Sequence, residues 1–556
     1  MRMRRVLFAL ATALSVALAT AVLLAPRSGS ASVDSSPSLQ SATMGEWSAP
    51  LPWPIIGVHA ALLLTGKVLQ FSYPQGGQGS AAGLWDPTTG AFQATAIDRN
   101  IFCGGQSFLP DGRLLVTGGA LQGDVEGAGV ADTHIFDPST EEWTRVRDMA
   151  VARWYPTNVT LPDGRALVFA GNDEQGQPTP LVELYDPGSG MQPVPSATRY
   201  MSTYPRMHLL PSGKIFHAGP EQFTTTLDTN TFAWEAVGLS SYGFRGGGTS
   251  VLLPLQPPDY HPKVMIMGGG NPATDTAEII DLGDPAPTWG STASMNQARR
   301  NLNAVILPDG QVLVVGGGAT GQTDDPVYEA EIFDPVSETW TPVAGMQRPR
   351  VYHSTAILLP DGRVLSAGSD GEFTAEIYSP PYLFQGSRPQ ISSAPNVAFY
   401  GSDLEISTTD AQGIAQVVLI RPASVTHSVN MEQRYVGLNF QIGTDQLMAQ
   451  IPASQNLAAP GYHMLFIVDS DGVPSEATFI QLQGAVGGIA ELPEVDQLPL
   501  RGSDRSGIHY SVVAAIAAGA AAFVMAARRG GRAGEARVRT LEDTTTDSSG
   551  KRGHAR

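Results

Sequence analysis

A short unit of alternating apolar and turn residues recurs along most of the chain. It consists of an apolar run, Leu-Pro-Asp-Gly or a variant, a second apolar run and a glycine pair. Copies close their first run at Leu64-Thr-Gly66, Leu109-Pro-Asp-Gly112, Leu161-Pro-Asp-Gly164, Leu210-Pro-Ser-Gly213, Leu307-Pro-Asp-Gly310 and Leu359-Pro-Asp-Gly362. A degenerate copy runs from Gly248 to Gly270, with a longer loop at 257–262. A third apolar run follows in each, ending in Asp-Pro or similar as in Ile135-Phe-Asp-Pro138 and Ile332-Phe-Asp-Pro335, and often a tryptophan beyond it: Trp143, Trp234, Trp289 or Trp340. Pro-Asp-Gly and Asp-Pro are turn chemistry between strands. A period of about 50 residues with four strands per unit predicts kelch-type propeller blades. Seven copies span 47–383, so 45–385 is read as a seven-bladed kelch-type β-propeller.

After Arg388 the repeat stops. Strand-like runs at 416–420, 436–442, 446–451 and 462–468, with no helical periodicity, predict an immunoglobulin-like β-sandwich over 386–485. The fold class is therefore all-β. Both termini read as membrane segments. Residues 1–32 have a basic start, an apolar run and small residues, the order of a signal peptide or signal anchor. Residues 486–507 read as a linker and 508–527 as a transmembrane helix. Arg528, Arg529 and Arg532 follow it, which places the tail 528–556 in the cytoplasm and the domains outside the cell.

Composition sharpens this picture in two ways. A formal net charge of -18 gives a surface that repels phosphate backbones, so no nucleic-acid partner is expected. The chain also holds a single cysteine, Cys103, which cannot form an internal disulfide although export favours disulfides. Cys103 is thus either a small buried hydrophobe or a residue with a special covalent role.

The repeat supplies the register that decides where Cys103 lies. Nine residues before the turn glycine stand Cys103, Tyr155, Tyr204, Asn301 and His353, with Tyr352 adjacent. This place opens the first strand of a unit, which in a propeller lines the central channel. A thiol, several phenols and an imidazole are therefore offered to one channel mouth. Imidazole suits copper, as does phenolate once a metal lowers its pKa. The competing reading is that these positions need medium-sized fillers. Gly316-x-Gly-x-x-Gly321 matches a dinucleotide fingerprint only as a string, because no helix follows it. His59, His208 and His217 fall inside blade strands and read as structural.

Ile101-Phe-Cys-Gly-Gly-Gln106, Ala152-Arg-Trp-Tyr-Pro156, Arg350-Val-Tyr-His-Ser354 and Val425-Thr-His-Ser-Val-Asn-Met-Glu-Gln-Arg434 together resemble the galactose oxidase and glyoxal oxidase family of copper-radical oxidases, over about residues 45–484. The resemblance implies one copper ion and a thioether joining Cys103 to Tyr155, which carries the protein radical. Tyr155, His353 and His427 would be equatorial ligands, with Tyr352 as axial ligand and proton-accepting base. A loop of the sandwich would then have to reach up the propeller axis to deliver His427. The implied reaction oxidises a primary alcohol or small aldehyde and reduces dioxygen to hydrogen peroxide, with a cell-surface glycan as a further substrate class. Arg245, in Phe244-Arg-Gly-Gly-Gly248, resembles the family's substrate-binding arginine, with a solvated rim charge as the other reading. One departure stands out: galactose oxidase stacks a tryptophan over its cross-linked tyrosine, and Asp173 occupies that position here. Trp154 adjoins Tyr155, but strand alternation would point it the other way. The alternative to an oxidase is a non-catalytic propeller that binds a cell-wall glycan or a protein.

Overall fold

The computed structural model describes residues 39–484, apart from 77–78, 124 and 321–324. The expected signal segment, linker, transmembrane helix and tail lie outside these residues, and no described helix is long and apolar enough to cross a membrane. Among the described residues, seven antiparallel sheets of four or five strands follow one another, then a five-stranded and a three-stranded sheet. This is the all-β architecture of a propeller carrying a sandwich.

The repeat pattern explains the layering. In most units Pro-Asp-Gly or its variant joins the first two strands, as in Gly105–Phe108 with Leu114–Thr117 and Ser354–Leu358 with Val364–Gly368. These inner strands are buried along their whole length, whereas outer strands such as Glu142–Arg145 are largely exposed. Apolar runs thus mark strands covered on both faces by neighbouring sheets. The repeat tryptophans tie each sheet to the one before it. Trp143 donates its indole N–H to Thr95 Oγ1 at 2.8 Å, Trp234 to the Ala197 carbonyl at 2.9 Å and Trp340 to the Ala293 carbonyl at 2.8 Å.

Two features close the ring. Glu46–Trp47 and Leu51–Pro52 add to the outer edge of Thr374–Ser379, so the N-terminal strands complete the last sheet. The innermost strand of that sheet, Ser354–Leu358, packs against His59–Leu62 of the first. Between the first and second sheets the sandwich intervenes: its strand Ser424–Thr426 pairs with His59–Leu62, setting His59 opposite Thr426, and packs against Gly105–Phe108. The sandwich core of Leu404, Ile406, Val417, Leu419, Leu465 and Ile467 runs on into Phe216, Leu252 and Val264 of the propeller. One continuous apolar layer fixes the base from which the strand and its turn project.

A candidate metal centre on the propeller axis

The residues picked out by the repeat share an unusual backbone conformation. Cys103, Tyr155, Tyr204, Asn301 and His353 have φ of 65, 64, 49, 59 and 65°, and Gly247 takes the same place in the degenerate copy with φ 69°. Left-handed φ costs a non-glycine residue about 1–2 kcal/mol, so the surroundings must enforce it. Part of that enforcement is a chain of amide-to-carbonyl bonds from sheet to sheet. Tyr155 N–H donates to Cys103 O at 2.9 Å, Tyr204 N–H to Tyr155 O at 2.8 Å and Asn301 N–H to Gly247 O at 2.5 Å. The kink turns each side chain from the strand toward the axis.

Five side chains meet there. Ligand atoms of Cys103, His353 and His427 lie within 4.8 Å of one another, with Cys103 Sγ 3.9 Å from His427 Nε2. The Tyr155 and Tyr352 hydroxyls are hydrogen-bonded to each other. The Tyr155 ring centroid is 4.6 Å from that of His427, and Tyr352 stacks on His353 at 3.9 Å. Tyr204 packs on Tyr155 with centroids 4.4 Å apart and on His427 at 4.9 Å, and its hydroxyl donates to the Gly104 carbonyl at 3.0 Å. His427 arrives on the tight turn after Ser424–Thr426, where His427 and Ser428 have φ of 48 and 66°.

The ring nitrogens show what the cluster is built for. His353 Nδ1 lies 2.5 Å from Asp370 Oδ1, while His353 Nε2 is buried with no hydrogen-bond partner. His427 Nδ1 lies 2.6 Å from Thr426 Oγ1, whose own proton goes to the Val58 carbonyl at 3.0 Å. Thr426 therefore accepts from His427, which makes Nε2 the lone-pair nitrogen, facing the Cys103 thiol at 3.9 Å. Burial, then the nearby His353, hold the His427 pKa well below the usual range, so it stays neutral and able to bind a metal. Burial pushes the Cys103 thiol well up and the Tyr352 phenol up to about 12. Burial raises Tyr155 further still, with the Cys103 and Tyr352 charges adding to it. These phenols stay protonated unless a cation joins them. Two imidazoles, His353 with an orphaned buried nitrogen and His427 held neutral by burial, and two paired phenols make a donor set that fits copper.

Trp154 behaves differently from the sequence expectation, and the structure gives Asp173 and His59 specific contacts. Trp154 does not point away from Tyr155: it stacks on it, with centroids 3.6 Å apart and planes 12° from parallel. Alternation fails because Arg153 and Trp154 form isolated bridges rather than a strand and Tyr155 is left-handed. Asp173 instead shapes a turn, its Oδ1 accepting from Gln175 and Gln177 N–H at 2.9 and 2.8 Å. The adjacent Trp154 thus supplies the indole that position 173 lacks. An aromatic pair is worth about 0.5–1.5 kcal/mol. Trp154→Ala is accordingly expected to lower turnover up to about tenfold with Cu(II) affinity unchanged, measured by steady-state kinetics beside metal titration. His59, fully buried, accepts the Cys103 N–H at Nε2 (3.0 Å), faces Gln106 Oε1 with Nδ1 at 3.2 Å, and is held near pKa 3 by burial. Gln106 donates in turn to the Val425 carbonyl at 3.1 Å, so one network ties Cys103 to the strand that delivers His427.

Arg245 makes none of its contacts in this cluster, nor is it a rim charge. It is 1% exposed and donates to Glu278 at 2.7 Å and to the Gly268 and Thr276 carbonyls at 3.0 and 3.1 Å. Arg153–Glu183, Arg299–Glu331 and Arg350–Glu376 repeat the same buried pair in other sheets. Only the repeat register could have shown this from sequence, since each arginine precedes its channel residue by two or three positions.

Comparison with known proteins agrees with the geometry. Residues 80–382 match the family model for the glyoxal oxidase N-terminus, and 388–482 that for the galactose oxidase-like Early set domain. A galactose oxidase from Gibberella zeae is 30% identical over 490 residues, covering 79% of this chain and 71% of that protein. The aldehyde oxidase GLOX of Vitis pseudoreticulata is 29% identical over 458 residues, covering 72% of this chain and 85% of that one. The solved structure of a fungal alcohol oxidase of the AA5 family in complex with copper superposes with a TM-score of 0.72 at 28% identity, covering 79% of this chain and all of that one. With the donor set described above, these matches show that the chain belongs to the glyoxal oxidase and galactose oxidase family of copper-dependent alcohol and aldehyde oxidases.

Proposed function

We propose that this protein is an extracellular copper-radical oxidase that converts a primary alcohol or small aldehyde, reducing dioxygen to hydrogen peroxide. The observation that carries the reading is the orphaned, buried His353 Nε2 facing His427, two phenols and a thiol. Tyr155, Tyr352, His353 and His427 would hold one copper ion. Bound there, copper supplies one of the two electron acceptances and a cross-linked Tyr155 supplies the other. For an alcohol the balance is RCH2OH + O2 → RCHO + H2O2. For an aldehyde, the hydrate takes the place of the alcohol.

The residues divide this work. Tyr352 takes the substrate's hydroxyl proton at its phenol oxygen, the less strongly shifted of the two phenols. Tyr155 is enclosed between Trp154 and Tyr204, which shield an oxidised ring from solvent. Cys103 bonds to the Tyr155 ring, losing S–H and ring C–H as dioxygen takes two electrons and two protons. We read the seven sheets as the seven blades of a kelch-type propeller. The protein is exported by its N-terminal segment and anchored by 508–527, with the catalytic domains outside the cell. Tyr200 and Phe244, 72% and 57% exposed just before Tyr204 and Gly247, favour a cell-surface glycan within the substrate range, since aromatic faces suit sugar rings.

The test is copper loading of the ectodomain under oxygen. A mass deficit of two hydrogens on the peptide pair holding Cys103 and Tyr155 is expected, with peroxide released from members of a panel of alcohols, glyoxal-like aldehydes and oligosaccharides. Intact, separate Cys103 and Tyr155 peptides after that treatment overturn the reading.

A further inference from the structure

We propose that Asp370 is a positioning residue for the copper centre, fixing the His353 ring and biasing the site toward Cu(II). The inference rests on the copper reading above. Its observation is the segment 368–370, which is folded onto the two adjacent residues Tyr352 and His353. Ser369 N–H donates to the His353 carbonyl at 3.0 Å and Asp370 N–H to the Tyr352 carbonyl at 3.1 Å. Val351 N–H donates to Ser369 Oγ at 3.3 Å. Ser369 is itself held at φ 112°, a region that non-glycine residues rarely adopt. The outcome of this local constraint is one contact: Asp370 Oδ1 at 2.5 Å from His353 Nδ1.

That contact has two consequences. A carboxylate only accepts, so His353 must carry its proton on Nδ1 and present the Nε2 lone pair inward, where Nε2 is buried and unpartnered. An anionic acceptor also makes the imidazole a stronger donor than a neutral one would. The second histidine provides the contrast within the same site, because His427 Nδ1 is backed by the Thr426 hydroxyl. The two imidazoles are thus built unequally. The carboxylate side favours the higher charge of Cu(II), and the asymmetry is a property of this chain's own residues. Asp370 is 40% exposed at its side chain, so it is not a core element whose loss should unfold the sheet.

The experiment uses the copper-loaded full ectodomain and the variants Asp370→Asn and Asp370→Ala. Cu(II) affinity by competitive chelator titration should fall about 10–100-fold in Asp370→Ala and less in Asp370→Asn, which keeps an acceptor without the charge. Weakening Cu(II) tenfold relative to Cu(I) raises the one-electron potential by about 59 mV. The Cu(II) electron paramagnetic resonance spectrum should shift in both variants, while thermal unfolding of the apo-protein stays as in the parent. Equal affinity, potential and spectrum in all three proteins overturn the inference and leave the copper site standing. Absence of stoichiometric Cu(II) binding by the parent protein overturns the copper reading and this inference with it.

Discussion

Replacing Cys103 by serine is expected to leave copper binding almost unchanged and to lower oxidase turnover by at least about a thousandfold, because residues that act as one unit fail together. The geometry separates two roles for the thiol. As a copper ligand, Cys103 Sγ would share the metal with His427 Nε2 3.9 Å away, and its loss would weaken binding strongly. As a partner of Tyr155, its loss removes a ring substituent that eases oxidation of the phenol and leaves the four other donors in place. Burial pushes the thiol well above its ordinary pKa, so no thiolate waits for a metal in the apo-protein. The measurements are Cu(II) titration, peptide mass and peroxide release on the same preparation. A Cys103→Ser protein that turns over at the parental rate would sink the radical assignment. One that fails to bind copper would make Cys103 a ligand instead.

Arg245→Ala is expected to destabilise the protein by about 3–5 kcal/mol, the cost of leaving one member of a buried pair without its partner, and to leave KM within a small factor of the parent. Glu278 would be stranded at about 2% exposure, with the Gly268 and Thr276 carbonyls losing their donor. Arg245→Met with Glu278→Leu should recover most of that stability, since replacing a buried pair by apolar groups of similar volume is often neutral. Denaturant unfolding reads the stability and steady-state kinetics read the KM. A stable Arg245→Ala enzyme with a greatly raised KM would return this guanidinium to substrate binding.

The contrast between Arg245 and Trp154 shows where sequence reasoning stopped. Both lie on the approach to the channel, where the backbone is not ordinary strand. By register Arg245 lies at the start of an inner strand, a position that points to the channel mouth. Its side chain instead turns back under the sheet to Glu278, and three other arginines do the same. Alternation points Trp154 away from Tyr155, but that rule needs extended φ at both residues, and Tyr155 has φ 64°. Asp370 lay outside any motif because its function depends on a turn brought back to Tyr352 and His353 by the second and third strands of the last sheet.

By itself the sequence determined the elements and their register. Pro-Asp-Gly turns, paired apolar runs and the outer tryptophan are local chemistry repeated along the chain, and counting from the turn glycine placed Cys103, Tyr155, Tyr204, Asn301 and His353 at one level. It also supplied the unmatched segment around His427, whose delivery required a strand rising from the sandwich. Only the tertiary structure decided which atoms face each other. The left-handed kinks, the bonds from Asp370 and Thr426 to the two imidazoles, and the Trp154–Tyr155–Tyr204 stack arise from how turns and neighbouring sheets pack around the channel. Their energies depend on separations and angles that no local pattern encodes, which is why the donor types were legible and the tuning of the site was not.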